Sequence, residues 1–291
     1  MISSWCINKM NYQAISKVFS RNVVLEIAKK NRFDLFREII TCHYPSYKIE
    51  GKSISKIYDE MYGLLKKKYR NEYVYKNEIA KSIIKKSHKF NNVSYVNEFK
   101  VNGCIADVAI FNETSTAYEI KTELDSFERL DDQLFEYKDV FEYVYVVIPQ
   151  SKVNQAIKVA HDTTGIITLS DKNILNYERV ALSNKSFLSK EKMFNCLKPS
   201  EYILFYEEII GSKAFGKAAD IKDMCRNVFL DLDVEIAQRE MLKILKERGL
   251  ERFEKDYFLS LPQSLLATLL NLRLNHKSLM TLRENMVETI C

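Results

Sequence analysis

Apolar residues over positions 11–46 recur at steps of three and four. Ile15, Val18, Phe19, Val23 and Ile27 make one stripe, the spacing of a buried helix face. The segment HYPSYKIEGKS (43–53) holds a proline and a glycine and interrupts that rhythm, so a loop is expected. Ser53 or Ser55 is placed to cap a following helix whose inner side is Ile57, Met61, Leu64 and Leu65. A third helix is expected over about 77–86, with Ile79, Ile83 and Ile84 inward.

The period then falls to two. VSYVNEFKV (93–101) and IADVAIF (105–111) alternate as strands around Asn102-Gly103, a hairpin turn signal. AYEIKT (117–122) is a third strand. Asp125 and Glu128 have the spacing of a capping box, which predicts a helix running to about Glu142. YVYVVIP (143–149) is nearly all apolar, as in a strand covered on both faces. A helix ending near Gly165 and a last short strand, IITLS, follow. The order over 77–170 is α-β-β-β-α-β-α-β, a mixed-sheet α/β core. From about 186 the chain reads helical again. DVEIAQREMLKILKERG keeps Val234, Ala237, Met241 and Ile244 on one stripe, with Gly249 placed to end it. LPQSLLATLLNLRL is another helix, with Pro262 near its first turn. Three regions are expected: helices over 1–70, the α/β core over 71–170 and helices over 171–291. No low-complexity linker divides them, so the helices should pack on the core.

Composition narrows the class. The 46% hydrophobic content suffices for a substantial core, and seven glycines with four prolines favour regular structure. No secretory pattern opens the chain, and the most apolar stretch, SLLATLLNLRLN, is too short to span a bilayer. Six scattered cysteines without a CxxC pair fit packed thiols in a reducing cytoplasm rather than a zinc site. A cytoplasmic protein that does not enter membranes is expected. Charge is uneven: positions 1–100 carry 20 Lys and Arg against 9 Asp and Glu, and the remainder 24 against 30. Clusters such as KKKYR (66–70) suit phosphate backbones, and equally a solvated helix face.

One strand breaks the burial pattern. In AYEIKT, Ala117, Glu119 and Lys121 share a face, while Tyr118 and Ile120 share the other. The preceding strand carries Asp107 among apolar neighbours. If the two strands pair, Asp107 and Glu119 come close, and two buried carboxylates repel. A divalent cation relieves both problems. Mg²⁺ or Mn²⁺ takes one or two carboxylates plus water and phosphate oxygens. Lys121 would then orient the attacking water or offset phosphate charge. In a chain with 29% charged residues an ExK triplet also arises by chance, and a solvated strand displays Glu and Lys as a cross-strand pair.

Asp107, Glu119 and Lys121 on consecutive strands of an α-β-β-β-α-β unit resemble the PD-(D/E)XK nuclease superfamily, with "AD" in place of "PD". The resemblance covers about 72–150. It implies a restriction-endonuclease-like core in which Asp107 and Glu119 bind the metal, Ile120 lends its carbonyl and Lys121 acts on the water. It further implies that Glu78, in the helix before the sheet, completes the metal shell or serves a second metal; the same residue also reads as an ordinary first-turn acid. Gln133-x-x-x-Tyr137 resembles the QxxxY motif of the RecB-like branch, whose i, i+4 pair would line the path of the phosphates. The run from EIK to Gln133 is also similar to a group of small bacterial and phage-associated proteins in that superfamily whose activity is obscure. Arg129 suits a phosphate contact or a surface salt bridge.

Other motifs are incomplete. GSKAFGKA (211–218) lacks the terminal hydroxyl of a phosphate-binding loop and reads as a plain loop before a helix. The four histidines are dispersed. The resulting expectation is a Mg²⁺- or Mn²⁺-dependent phosphodiesterase on nucleic acid, DNA before RNA. The resemblance implies a DNA endonuclease in phage defence or on a mobile element, with the C-terminal helices expected to add recognition, a homodimer contact or a protein partner. The alternative is a binding or interaction protein on a nuclease-like fold without turnover.

Overall fold

A computed structural model of the chain describes residues 10–86, 93–248, 259–272 and 274–290. It is mixed α/β: a six-stranded mixed sheet flanked by helices. Two compact units divide the chain, residues 92–249 and residues 1–91 with 250–291. The three regions expected from the order of elements are thus grouped differently. The helix expected over 77–86 begins five residues earlier, at Glu72–Lys86, and falls in the helical unit rather than with the sheet.

That helical unit follows its sequence signals closely. Asn11 caps the helix Tyr12–Ser16, its Oδ1 accepting from the Ala14 amide at 3.0 Å. Helices Arg21–Lys30 and Asp34–His43 follow, the first closed by Asn31 at φ 50°. Ser53 accepts from the Lys56 amide at 3.3 Å and starts the helix Ile54–Lys68. The core is aromatic: Phe19 stacks on Tyr73 at 4.6 Å and meets Tyr58 and Tyr62. Buried amides join the C-terminal segment to these helices. Asn77 donates to the Gln263 carbonyl at 3.0 Å and accepts from the Ala267 amide at 3.0 Å. Asn285 donates to the Ile27 carbonyl at 2.8 Å. Each ties a buried amide side chain to a main-chain group of a distant segment. These polar ties are why helices Leu266–Asn271 and His276–Val287 belong with the N-terminal ones. Periodicity alone does not encode such long-range pairing.

The second unit holds the sheet, with strands in chain order: β1 (Ser94–Val101), β2 (Cys104–Phe111), β3 (Ser115–Ile120), β4 (Tyr143–Pro149), β5 (Gly165–Leu169) and β6 (Leu175–Arg179). The first three are antiparallel, β4 and β5 run parallel to β3, and β6 returns antiparallel to β5. Asn102 (φ 43°) and Gly103 (φ 89°) make the tight β1–β2 turn, both in the left-handed region its type demands. Strand β6 was not foreseen. Its five residues are largely exposed and carry no alternating apolar signal. Between β3 and β4 runs the helix Leu130–Lys138, shorter than expected because Asp125 does not cap it. Helices Val153–Val159, Lys190–Asn195, Pro199–Ile210, Ala218–Asp231 and Val234–Lys246 complete the unit. GSKAFGKA is, as read, an exposed loop leading into a helix. Gly249, His88 and Arg273 lie outside the described residues. Among the described residues, no helix is long and apolar enough to cross a membrane.

Candidate active site

The site lies where the β2–β3 ladder ends. Paired residues run from Phe111↔Ser115 to Val108↔Tyr118. The next two in that register are Asp107 and Glu119. Carboxylates directly opposite one another repel, and the main-chain pairing stops there. The Ile120 amide turns instead to the Asp107 carboxylate, Oδ2 accepting at 2.7 Å. On its other side β3 remains fastened: Ile120 pairs with Val147, and the Lys121 amide donates to the Val147 carbonyl at 3.0 Å. The β1–β2 ladder also skips at this level. Glu98 sits at φ 56° between the paired residues Asn97 and Phe99.

Glu119 is 2% exposed. Both its oxygens are engaged. Oε1 accepts from the Lys121 ammonium at 2.7 Å, and Oε2 accepts from the Tyr137 hydroxyl at 2.9 Å. Burial raises the Glu119 pKa above its ordinary value, against the opposing pull of Lys121, Tyr137 and Gln133. Desolvation therefore outweighs three favourable partners, the signature of a charge held in a low-dielectric place. The Lys121 ammonium also donates to Gln133 Oε1 at 2.9 Å. Tyr137 is wholly buried, and its hydroxyl also reaches the Ile105 carbonyl at 2.7 Å. Burial first, then the charge of Glu119, raises the Tyr137 pKa, so the phenol stays protonated and serves as a donor.

Asp107, Glu119, Ile120, Lys121, Gln133 and Tyr137 are thus brought together in one hydrogen-bonded constellation. The helix Leu130–Lys138 supplies the last two from one face, four residues apart. Tyr137 has no exposed surface, which differs from a phosphate-lining position, and it braces Glu119 from behind. Gln133 is half-buried and holds the Lys121 ammonium through its Oε1. Arg129 is exposed at the start of that helix and, among the described residues, makes no ion pair. Glu78 belongs to the helical unit, where it accepts from the Tyr62 hydroxyl at 2.7 Å and the Lys81 ammonium at 2.8 Å.

The family comparison matches residues 65–275 to the family described as "Bacteriophage P4 protein cII". This span holds every candidate residue from Glu78 to Tyr137. The chain belongs to the bacteriophage P4 protein cII family. A member named "Protein cII", from Enterobacteria phage P4, is 35% identical over 68 residues, covering 23% of this chain. The chain aligns with only about a quarter of that relative's length, 26%. Among solved structures, the SPO1766 protein of unknown function from Silicibacter pomeroyi is similar over 48% of this chain and 93% of its own, with a TM-score of 0.29 and 13% identity.

Two residues of the site region were not read from the sequence as part of the site. Asp125, read as a helix cap, closes the turn after Lys121 instead: its Oδ2 accepts from the Thr122 amide at 2.8 Å and the Thr122 hydroxyl at 2.7 Å. Lys152 donates to the Thr122 carbonyl at 2.8 Å and to the Asp125 carbonyl. Its signal was positional. It is the first basic residue after β4, the strand parallel to β3, and the carboxyl ends of parallel strands are where such sheets build sites.

The donor chemistry fits a hard divalent cation. Two carboxylates on adjacent strands and a strand carbonyl offer only oxygens. No group of three or more His, Cys, Asp and Glu poised for a metal occurs among the described residues. An ion held here would draw the rest of its shell from main chain and water, and would compete with Lys121 for Glu119.

Proposed function

We propose that the sheet unit is a Mg²⁺- or Mn²⁺-dependent phosphodiesterase acting on nucleic acid, with DNA as the first substrate to test. The observation that carries this reading is the constellation itself. Asp107, Glu119 and Lys121 meet at the broken end of a strand ladder, with Gln133 and Tyr137 hydrogen-bonded to them. A purely structural Glu–Lys pair belongs on a solvated face, whereas here the carboxylate is buried at a cost that a functional site explains. Asp107, Glu119 and the Ile120 carbonyl would hold the ion, which when bound supplies charge neutralisation and an acidified water. Lys121 holds a water or a phosphate oxygen beside Glu119. Gln133 fixes the ammonium, and Tyr137 fixes the carboxylate. Arg129 offers an exposed cation to a neighbouring phosphate. The basic helices of the first hundred residues suit the nucleic-acid backbone, and a phage family makes a mobile-element setting natural.

The test is cleavage of supercoiled plasmid, linear duplex, single-stranded DNA and RNA. Each is run with Mn²⁺, Mg²⁺ or EDTA, beside Lys121→Ala. Metal-dependent cutting lost in the variant is expected. Salt-sensitive binding without cutting by wild type would favour a binding protein on the same scaffold.

A further inference from the structure

The turn after Lys121 is fastened far more heavily than its exposed position requires. Six hydrogen bonds close it. Three use the Thr122 and Leu124 amides and the Thr122 hydroxyl, a fourth joins the Asp125 amide to the Thr122 carbonyl, and Lys152 makes the last two. Lys152 also lies 5.5 Å from the ring of Phe127, which is buried just beyond the turn. At the tip stands Leu124, 74% exposed. A single exposed leucine is ordinary. A leucine held up by a rigid turn three residues from Lys121 is a presented group. Thr122 and one Asp125 carboxylate oxygen are engaged within the turn, and its acids, Glu123 and Asp125, disfavour a phosphate. What remains to offer a ligand is an aliphatic side chain, which suits the face or edge of a base.

We infer that Leu124 is a wedge that contacts unpaired bases, so that the site prefers nucleic acid with opened or single-stranded segments over perfect duplex. This rests on the nucleic-acid reading above. Apolar wedges act by occupying the space of a base step, at a cost in unstacking that is smallest where pairing is already lost. Lys152 is a positioning residue for the turn.

The test is binding without metal, followed by fluorescence anisotropy. The probes are a perfect DNA duplex, the same duplex with an internal mismatched bubble, and one of its single strands. Wild type is expected to bind bubble and single strand about tenfold more tightly than duplex, the scale of removing a leucine side chain from water. Leu124→Ser should lose that preference while its duplex affinity and circular dichroism stay unchanged; Leu124→Met should keep it. Lys152→Met should weaken the preference in the same direction. Equal preference in wild type and Leu124→Ser, or none in wild type, overturns the wedge while leaving nucleic-acid binding intact. No binding of wild type to any probe overturns the functional reading and the wedge with it.

Discussion

Tyr137→Phe isolates one atom of the constellation. The ring stays, so its packing, including the edge contact with Phe141 at 6.4 Å, is kept and no cavity larger than an oxygen forms. What is lost is a hydroxyl lying 2.9 Å from Glu119 Oε2 and 2.7 Å from the Ile105 carbonyl. A hydrogen bond to a charged acceptor contributes about 1.5–3 kcal/mol and one to a neutral acceptor about 0.5–1.5 kcal/mol. The loss should therefore be about 2–3 kcal/mol where Glu119 is ionised and about 1 kcal/mol where it is protonated. The pH direction follows from burial, which raises the Glu119 pKa in the folded protein. In the window above the ordinary glutamate range the fold keeps a proton that the unfolded chain has released. This contribution is complete below the ordinary value and is lost as pH rises through the raised one. Removing the Tyr137 donor raises that pKa further, so the penalty of the variant must grow with pH. Urea unfolding followed by circular dichroism, at mildly acidic and at neutral pH, reads both numbers. In a Glu119→Gln background the penalty should fall to about 1 kcal/mol, because the charged acceptor is gone. A penalty below about 0.5 kcal/mol, or one independent of pH, would refute the assignment of Tyr137 as the donor that holds the Glu119 charge.

Glu78→Gln should act on stability rather than chemistry. It leaves Lys81, whose pKa burial already lowers, without its carboxylate, and an orphaned partly buried cation costs about 1–3 kcal/mol. Thermal melting should show the loss while metal-dependent cutting stays within about threefold of wild type; a defect as deep as that of Lys121→Ala would place Glu78 in the chemistry. Gly165→Ala should disrupt the sheet unit. A Cβ there would stand 2.2 Å from Tyr145 Cε1 and 2.8 Å from the Ala181 amide nitrogen, and main chain cannot step aside. A loss of about 3 kcal/mol or more is expected, read as a lowered melting temperature or insoluble expression.

The chain shows which parts of such a site are written locally. Strands β2 and β3, the Asn102-Gly103 turn and the helix that sets Gln133 and Tyr137 four residues apart each need only a short window, and all appear where they are expected, although β2 is buried on both faces over Val108–Phe111 instead of alternating. The polar face of β3 was legible for the same reason. A glutamate near the end of an apolar strand and a lysine just past it stand out against the burial pattern. What a window cannot hold is competition between partners. Asp125 has two possible uses, a helix cap or a clasp for Thr122, and the clasp wins because the amide and hydroxyl of Thr122 converge on one carboxylate oxygen, while the Lys152 ammonium takes the carbonyls of Thr122 and Asp125. Tyr137 likewise has the spacing of a substrate contact. The choice between lining a path and bracing Glu119 is made by burial, which depends on the whole sheet. The same holds at larger scale for helix Glu72–Lys86. Its periodicity predicts a helix, but Asn77 decides the neighbour by satisfying two main-chain groups about 190 residues away. Buried polar groups must be paired, so a few amides and carboxylates settle choices that hydrophobic pattern leaves degenerate. In this protein those same groups mark both the seam of the helical unit and the floor of the proposed site.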